Sequence, residues 1–217
     1  MLSFAIGDIH GCYDKLVGLV GQCMAYRPAE TRRFIFIGDY VDRGPNSSEV
    51  IEFLINLQHE ADISAVFLRG NHEQMLLEAA ASPERELGWY SNGGDTTLSS
   101  YGIARASQLP ANHLGWLRAL PMSFDDGQRL FVHAGIDPSR PLSEQRPKDL
   151  LWIRDRFLSS NTEFSRLIVH GHSPTENGRP DIRLNRINID TGAVYGNQLT
   201  AAVFSGARAG PIEFLWA

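Results

Sequence analysis

Five times along this chain a short apolar run stops abruptly at Asp, Asn or His beside a glycine. Two of the segments are Phe4-Ala5-Ile6-Gly7-Asp8-Ile9-His10-Gly11 and Phe34-Ile35-Phe36-Ile37-Gly38-Asp39. The others are Val66-Phe67-Leu68-Arg69-Gly70-Asn71-His72-Glu73, Leu130-Phe131-Val132-His133-Ala134-Gly135 and Leu167-Ile168-Val169-His170-Gly171-His172. Short apolar runs with glycine punctuation read as buried strands. In open α/β sheets ligands bind beyond the carboxyl ends of the strands. If the five strands share a sheet and run parallel, their polar ends converge on one site, with the glycines permitting the sharp turns.

Longer amphipathic stretches alternate with these runs, so the fold class is α/β. Strands are expected over 3–7, 33–38, 64–69, 129–134, 167–170, 186–189, 199–204 and 212–216, and helices over 13–26, 47–59, 73–80 and 111–120. Ser47 and Ser48 are expected to cap the second helix. The segment 82–102 reads as a loop-and-short-helix excursion over the sheet edge. With 43% hydrophobic residues in 217 and no linker, one domain over 1–217 is expected. A net charge of −5 with no Lys/Arg-rich run argues against a nucleic-acid partner. No stretch approaches the roughly 18 apolar residues of a membrane span, and no signal peptide is recognisable. Cys12 and Cys23, eleven residues apart in one helix, would stand roughly 16 Å apart, too far for a disulfide. A reduced, cytoplasmic protein is expected.

The convergent set comprises Asp8, His10, Asp39, Asn71, His133 and one or both of His170 and His172. Asp8 and His10, at i and i+2, face the same way in an extended segment. Carboxylate, amide and imidazole donors without thiolate suit Mn, Fe, Zn or Co in open coordination. Six or seven ligands exceed one catalytic ion, and two ions sharing a carboxylate fit the count. Arg43, Arg69 and Arg154 supply guanidinium forks for phosphate. Two divalent cations, offset by Asp8, Asp39 and one hydroxide, leave a charge of about +1, so an acidic protein holds a cationic pocket. A single strand-end His or Asp is ordinarily a cap; five together are not. His59 and His113, in helical surroundings without partners, are assigned no role, and Cys12 reads as a helix-start residue.

Gly7-Asp8-Ile9-His10-Gly11, Gly38-Asp39-Tyr40-Val41-Asp42-Arg43-Gly44, Gly70-Asn71-His72-Glu73, His133-Ala134-Gly135 and Gly171-His172-Ser173-Pro174 resemble the signature blocks of the phosphoprotein phosphatase branch of the calcineurin-like metallophosphoesterases. Trp89-Tyr90-Ser91-Asn92-Gly93-Gly94 and the short length are similar to its small bacterial and phage members. The resemblance implies a two-sheet mixed β-sandwich flanked by helices, with the strands of 186–216 forming or completing the second sheet. It implies two divalent ions, manganese first and Fe, Zn or Co as alternatives: Asp8, His10 and Asp39 on one, Asp39, Asn71, His133 and His172 on the other. His170 is then a strand-end neighbour. His72 corresponds to the general acid, Asp42 to the carboxylate orienting it, and Arg43, Arg69 and Arg154 to the phosphate-binding arginines.

The implied reaction is direct attack of a metal-bridging hydroxide on a phosphomonoester, with phosphorylated proteins or peptides as partners and inorganic phosphate as product. Ser/Thr residues are the expected targets, with Tyr also in reach. The enzymatic rival is a symmetrical dinucleoside polyphosphate hydrolase; Glu73, where such relatives tend to carry Asp, and the intact Asp42-Arg43-Gly44 favour the protein phosphatase. A non-catalytic scaffold would be expected to have lost the general acid, which this chain keeps. Asn92, Gly93, Gly94 and Asp95 either line the entrance or form a plain turn. Asp190, ending the run Ile187-Asn188-Ile189, reads as a structural strand end.

Overall fold

Alternate residues of the strands are apolar on both sides, the pattern of a sheet covered on both faces. In the computed structural model, which describes residues 1–61 and 63–217, ten strands result. They are β1 (Leu2–Ile6), β2 (Arg32–Phe36), β3 (Ser64–Phe67), β4 (Ser123–Asp125) and β5 (Arg129–Val132). β6 (Leu167–His170), β7 (Asp181–Ile182), β8 (Arg186–Asn188), β9 (Thr200–Ser205) and β10 (Glu213–Trp216) follow. They form two five-stranded sheets, ordered β10-β9-β1-β2-β3 and β4-β5-β6-β8-β7. β1, β2 and β3 run parallel in the first sheet, and β5, β6 and β8 in the second.

The sheets stack face to face. Ala5, Ile35, Ile37, Leu68, Ala202 and Phe204 of the first meet Phe131, Val169, Ile187 and Ile189 of the second in a buried layer. The outer face of the first sheet (Phe4, Ile6, Phe34, Phe36) packs on α1 (Tyr13–Ala25), α2 (Ser47–His59) and α3 (Asn71–Ala81). α4 (Glu86–Tyr90), α5 (Gly94–Tyr101) and α6 (Ala111–Ala119) extend that layer, as expected for the excursion over 82–102. Leu130, Val132 and Ile168, on the far side of the second sheet, pack on α7 (Pro147–Trp152) and α8 (Asp155–Leu158). The two-sheet sandwich flanked by helices is therefore present.

Three expectations change. The five ligand-bearing strands are divided between the sheets, three in the first and two in the second. Of the late strands only β7 and β8 complete the second sheet; β9 and β10 join the first, antiparallel to β1 and to each other. β9 is apolar on both faces, which suits its place between β1 and β10. The serine capping of α2 is also not formed: Ser47 Oγ instead accepts the backbone N–H of Asp42 at 3.1 Å. Among the described residues no helix is long and apolar enough to cross a membrane.

Phe204 is fully buried between the sheets, edge-on to Phe131 at 5.9 Å. Phe204→Ala is expected to lower unfolding free energy by about 3–5 kcal/mol in urea titration. A loss below about 1 kcal/mol would mean that the sheets do not hold together through this layer.

Candidate metal centre

The carboxyl ends of six parallel strands, three from each sheet, meet at one rim. Asp8 and His10 follow β1; Asp39, Asp42 and Arg43 follow β2; Asn71 and His72 follow β3. His133, His172 and Asp190 follow β5, β6 and β8. Apart from half-buried Arg43, all of these side chains are buried. Five of the six non-glycine residues with positive φ in the described chain are here: His10, Asp39, Asp42, Arg43 and His172. Such backbone conformations are sparsely populated and gather at functional sites.

Asp39 is the centre. Its Oδ2 lies 3.5 Å from His10 Nε2 and 4.0 Å from His72 Nε2, and its Oδ1 lies 3.3 Å from His133 Nε2. Asn71 Oδ1 stands 2.8 Å from His133 Nε2 and 2.7 Å from His172 Nδ1. Two compact groups of donor atoms result, His10–Asp39–His72 and Asp39–His133–His172, sharing Asp39. Asp8 lies alongside, its carboxylate accepting the backbone N–H of His172 at 3.1 Å. In the first group His72 occupies the position expected of Asp8.

Local bonds aim the donors. His10 Nδ1 donates to Val41 O (2.8 Å) and His133 Nδ1 to Ile37 O (2.9 Å), which turns each Nε2 inward. Glycines leave room where the sheets approach: a Cβ at Gly70 would collide with the Asp39 carboxylate, and one at Gly171 with that of Asp8. Glu73, fully buried, accepts the backbone N–H groups of Asp39 (2.8 Å), Tyr40 (2.7 Å), Val41 (3.3 Å) and Gly70 (2.8 Å). It pins the loop that carries Asp39 to the start of α3.

The electrostatics are those of ligands crowded without water. Burial, then the Asp190 and Asp39 carboxylates, push Asp8 well above its ordinary range. Burial also lifts Asp190 to about 6 and Glu73 to about 7. It pushes His10 down to about 3 and lowers His172, leaving neutral imidazoles. Burial alone would raise Asp39, but His133, His72 and His10 outweigh it and hold the carboxyl well below the usual range. Asp39 in turn raises His133 against burial. His172 Nε2 is buried without a hydrogen-bond partner. Neutral imidazole nitrogens, crowded carboxylates and an amide oxygen, with no thiolate, fit a pair of divalent cations.

Beside this cluster, Asp42 Oδ2 accepts from His72 Nδ1 (2.7 Å) and Trp89 Nε1 (2.8 Å), and Asp42 Oδ1 from Thr97 Oγ1 (2.7 Å). Arg43 Nη1 donates to His10 Nε2 at 2.8 Å, and its backbone N–H to Gly93 O at 3.1 Å. The 92–95 segment is thus a turn that grips Arg43. Arg154, exposed, donates to Ser173 Oγ next to His172.

Arg69 departs from expectation: its guanidinium donates to Gln74 Oε1 (3.1 Å) and Arg118 O (2.6 Å), neither of them in the cluster. His170 bonds its own chain at Gly171 O and packs on Phe157, on the outer side of the sheet. His113 has partners after all, Tyr101 Oη at 2.8 Å and Glu52 Oε2 at 3.0 Å, both remote from the rim. Burial raises the Cys12 thiol, which is not activated. Asp190, Glu73, Trp89 and Thr97 are the contributors that sequence reasoning underweighted or missed. Asp190 ends a strand-like run, and Glu73 and Trp89 stand in the signature-like blocks without a role assigned; Thr97 carried no signal.

Residues 1–198 match the model of the calcineurin-like phosphoesterase family. The chain is 35% identical over 208 residues to serine/threonine-protein phosphatase 1 of Salmonella typhimurium, across 92% of this chain and 90% of that protein. It is 37% identical over 146 residues to the symmetrical bis(5'-nucleosyl)-tetraphosphatase of Dechloromonas aromatica, across 67% of this chain and 48% of that one. The crystal structure of a cold-active protein-tyrosine phosphatase of a Shewanella species superposes with a TM-score of 0.67 at 20% identity, covering 93% of this chain and 75% of that one. The cluster at the strand ends and these likenesses agree: the chain belongs to the calcineurin-like phosphoesterase family.

Proposed function

We propose that the protein is a phosphomonoesterase using two divalent ions, manganese foremost, that removes phosphate from phosphorylated Ser or Thr, and Tyr, residues of proteins in the cytoplasm. The observation carrying this reading is Asp39, whose two oxygens face separate donor groups beside the His72–Asp42 pair. Asp8, His10 and Asp39 would hold one ion, and Asp39, Asn71, His133 and His172 the other. Bound there, the cations would supply Lewis acidity, activating water and drawing charge from the phosphoryl oxygens.

The chain's own residues do the rest. Arg43 and Arg154 bind the equatorial phosphate oxygens from two sides, and Arg69 is left out. His72 holds a proton on Nε2 and delivers it to the departing oxygen, while Asp42 fixes the ring through Nδ1. Trp89 and Thr97 donate to Asp42 and keep it aimed.

Similarity to the Salmonella phosphatase over nearly the whole chain supports protein substrates. The tetraphosphatase likeness supports the rival, a dinucleoside polyphosphate hydrolase. Glu73 does not discriminate by contact, because it is fully buried on backbone N–H groups and reads no substrate. Manganese-loaded protein is expected to release phosphate from phosphoserine and phosphothreonine peptides faster than it cleaves diadenosine tetraphosphate. The reverse order would favour the rival.

His72→Asn is expected to lower turnover at least 100-fold, the reach of general acid catalysis, with two ions still bound by elemental analysis. Asp8→Asn is expected instead to lower ion occupancy. Loss of metal in His72→Asn would make His72 a ligand, as its place in the first donor group allows.

Asp8 and His133 both have raised pKa values in the metal-free protein. Each therefore keeps its proton to higher pH, and a cation must displace it. Mn²⁺ affinity is expected to fall as pH drops from 8 to 6, with protons released on binding in weakly buffered calorimetry. A pH-independent affinity would show that neither group is a ligand.

A further inference from the structure

Two exposed aromatic rings border the phosphate-binding side of the cluster. Tyr195, 62% exposed, lies under the Arg43 guanidinium at 5.9 Å. Trp152, 41% exposed, sets its ring edge-on to His172 at 6.1 Å, two residues before Arg154. Arg43 thus has an aromatic ring beside it in space, and Trp152 precedes Arg154 by two positions in the chain.

The backbone turn that carries Tyr195 is also pinned from another element. Tyr195 sits in a short helical turn, Ala193–Tyr195, bounded by Gly192 and Gly196, both at positive φ. Lys15 of α1 donates to the carbonyls on either side, Ala193 O at 2.8 Å and Asn197 O. A solvent-facing ring on a turn pinned from another element is preorganised to meet a partner, not loosely placed.

We propose that Tyr195, aided by Trp152, receives the aryl group of a phosphotyrosine substrate and gives the enzyme selectivity for aromatic over aliphatic phosphomonoesters. The inference rests on the phosphomonoesterase reading and deepens it. With the phosphate on Arg43, the Tyr195 ring beside that guanidinium offers its face to an aryl group joined through one ester oxygen. A seryl or threonyl carbon brings no ring to that position. In a dinucleoside polyphosphate, ribose and further phosphate separate the base from the bond that breaks. Stoichiometry is that of hydrolysis: the oxygen of water joins phosphorus, the phosphorus–aryl oxygen bond breaks, the phenolate takes the proton of His72, and the proton that water releases restores His72.

The test compares wild type, Tyr195→Ala, Tyr195→Phe and Trp152→Ala, all loaded with Mn²⁺. Substrates are phosphotyrosine and phosphoserine peptides of one sequence and diadenosine tetraphosphate. Calorimetry with phenylphosphonate and methylphosphonate reads ring recognition without turnover, so failure of the phosphomonoesterase reading is separable from failure of this one. Wild type is expected to bind phenylphosphonate roughly threefold to tenfold more tightly than methylphosphonate, the range of one aromatic pair. Tyr195→Ala is expected to remove most of that preference and to raise KM for the phosphotyrosine peptide by a similar factor over that for phosphoserine, with kcat changed less. Trp152→Ala should act in the same direction, and Tyr195→Phe should restore the preference. Equal losses on both peptides, an unchanged phosphonate ratio in Tyr195→Ala, or a selective loss on diadenosine tetraphosphate would overturn the proposal.

Discussion

One buried carboxylate organises this molecule's working face. Asp39 stays ionised because three imidazoles outweigh the desolvation that would otherwise protonate it. Its two oxygens are presented to separate groups of donors because the backbone there is held at positive φ, and Glu73 collects the N–H groups of Asp39, Tyr40 and Val41. A buried carboxylate with four backbone donors satisfies groups that would be expensive to leave unpaired. The result is a loop whose shape does not depend on solvent or on side-chain entropy. The neighbouring ligands are aimed by the same means: His10 and His133 each give one ring nitrogen to a main-chain carbonyl and turn the other inward.

The arginines complete the division of labour. Arg43, fixed by its backbone bond to Gly93 and its contact with His10, stands over the cluster, and Arg154 reaches it from the second sheet. With two divalent cations held among these donors, an acidic protein would present a cationic rim there, local charge departing from net charge.

Much of this was legible because it is written in local pattern. Asp8, His10, Asp39, Asn71, His133 and His172 each close an apolar run, and period-two alternation marks the strands. What was illegible depends on which elements meet. β8 is three residues and β9 a continuous apolar run, and neither pattern names its sheet, so nothing in the chain announces that β9 joins the first and β8 the second. Trp89 and Thr97 reach Asp42 across 47 and 55 residues, and no spacing rule anticipates that. Glu73 works through main-chain groups that become neighbours only on folding. Arg69 misled for the opposite reason: adjacency to Gly70-Asn71-His72 says nothing about where a long side chain ends, and this one ends on Arg118 O.

The donors are divided unequally between the sheets: Asp8, His10, Asp39 and Asn71 follow strands of the first, His133 and His172 strands of the second. The first sheet by itself carries Asp8, His10 and Asp39, but the Asp39–His133–His172 group exists only in the docked pair, so an ion held there would bind the docked pair alone. By linkage, whatever binds only the docked state stabilises it in proportion to its affinity. An ion at that shared group would therefore serve as a clasp: it would select chains whose long-range pairings, the slowest contacts to establish, are already in register, and would resist their later separation.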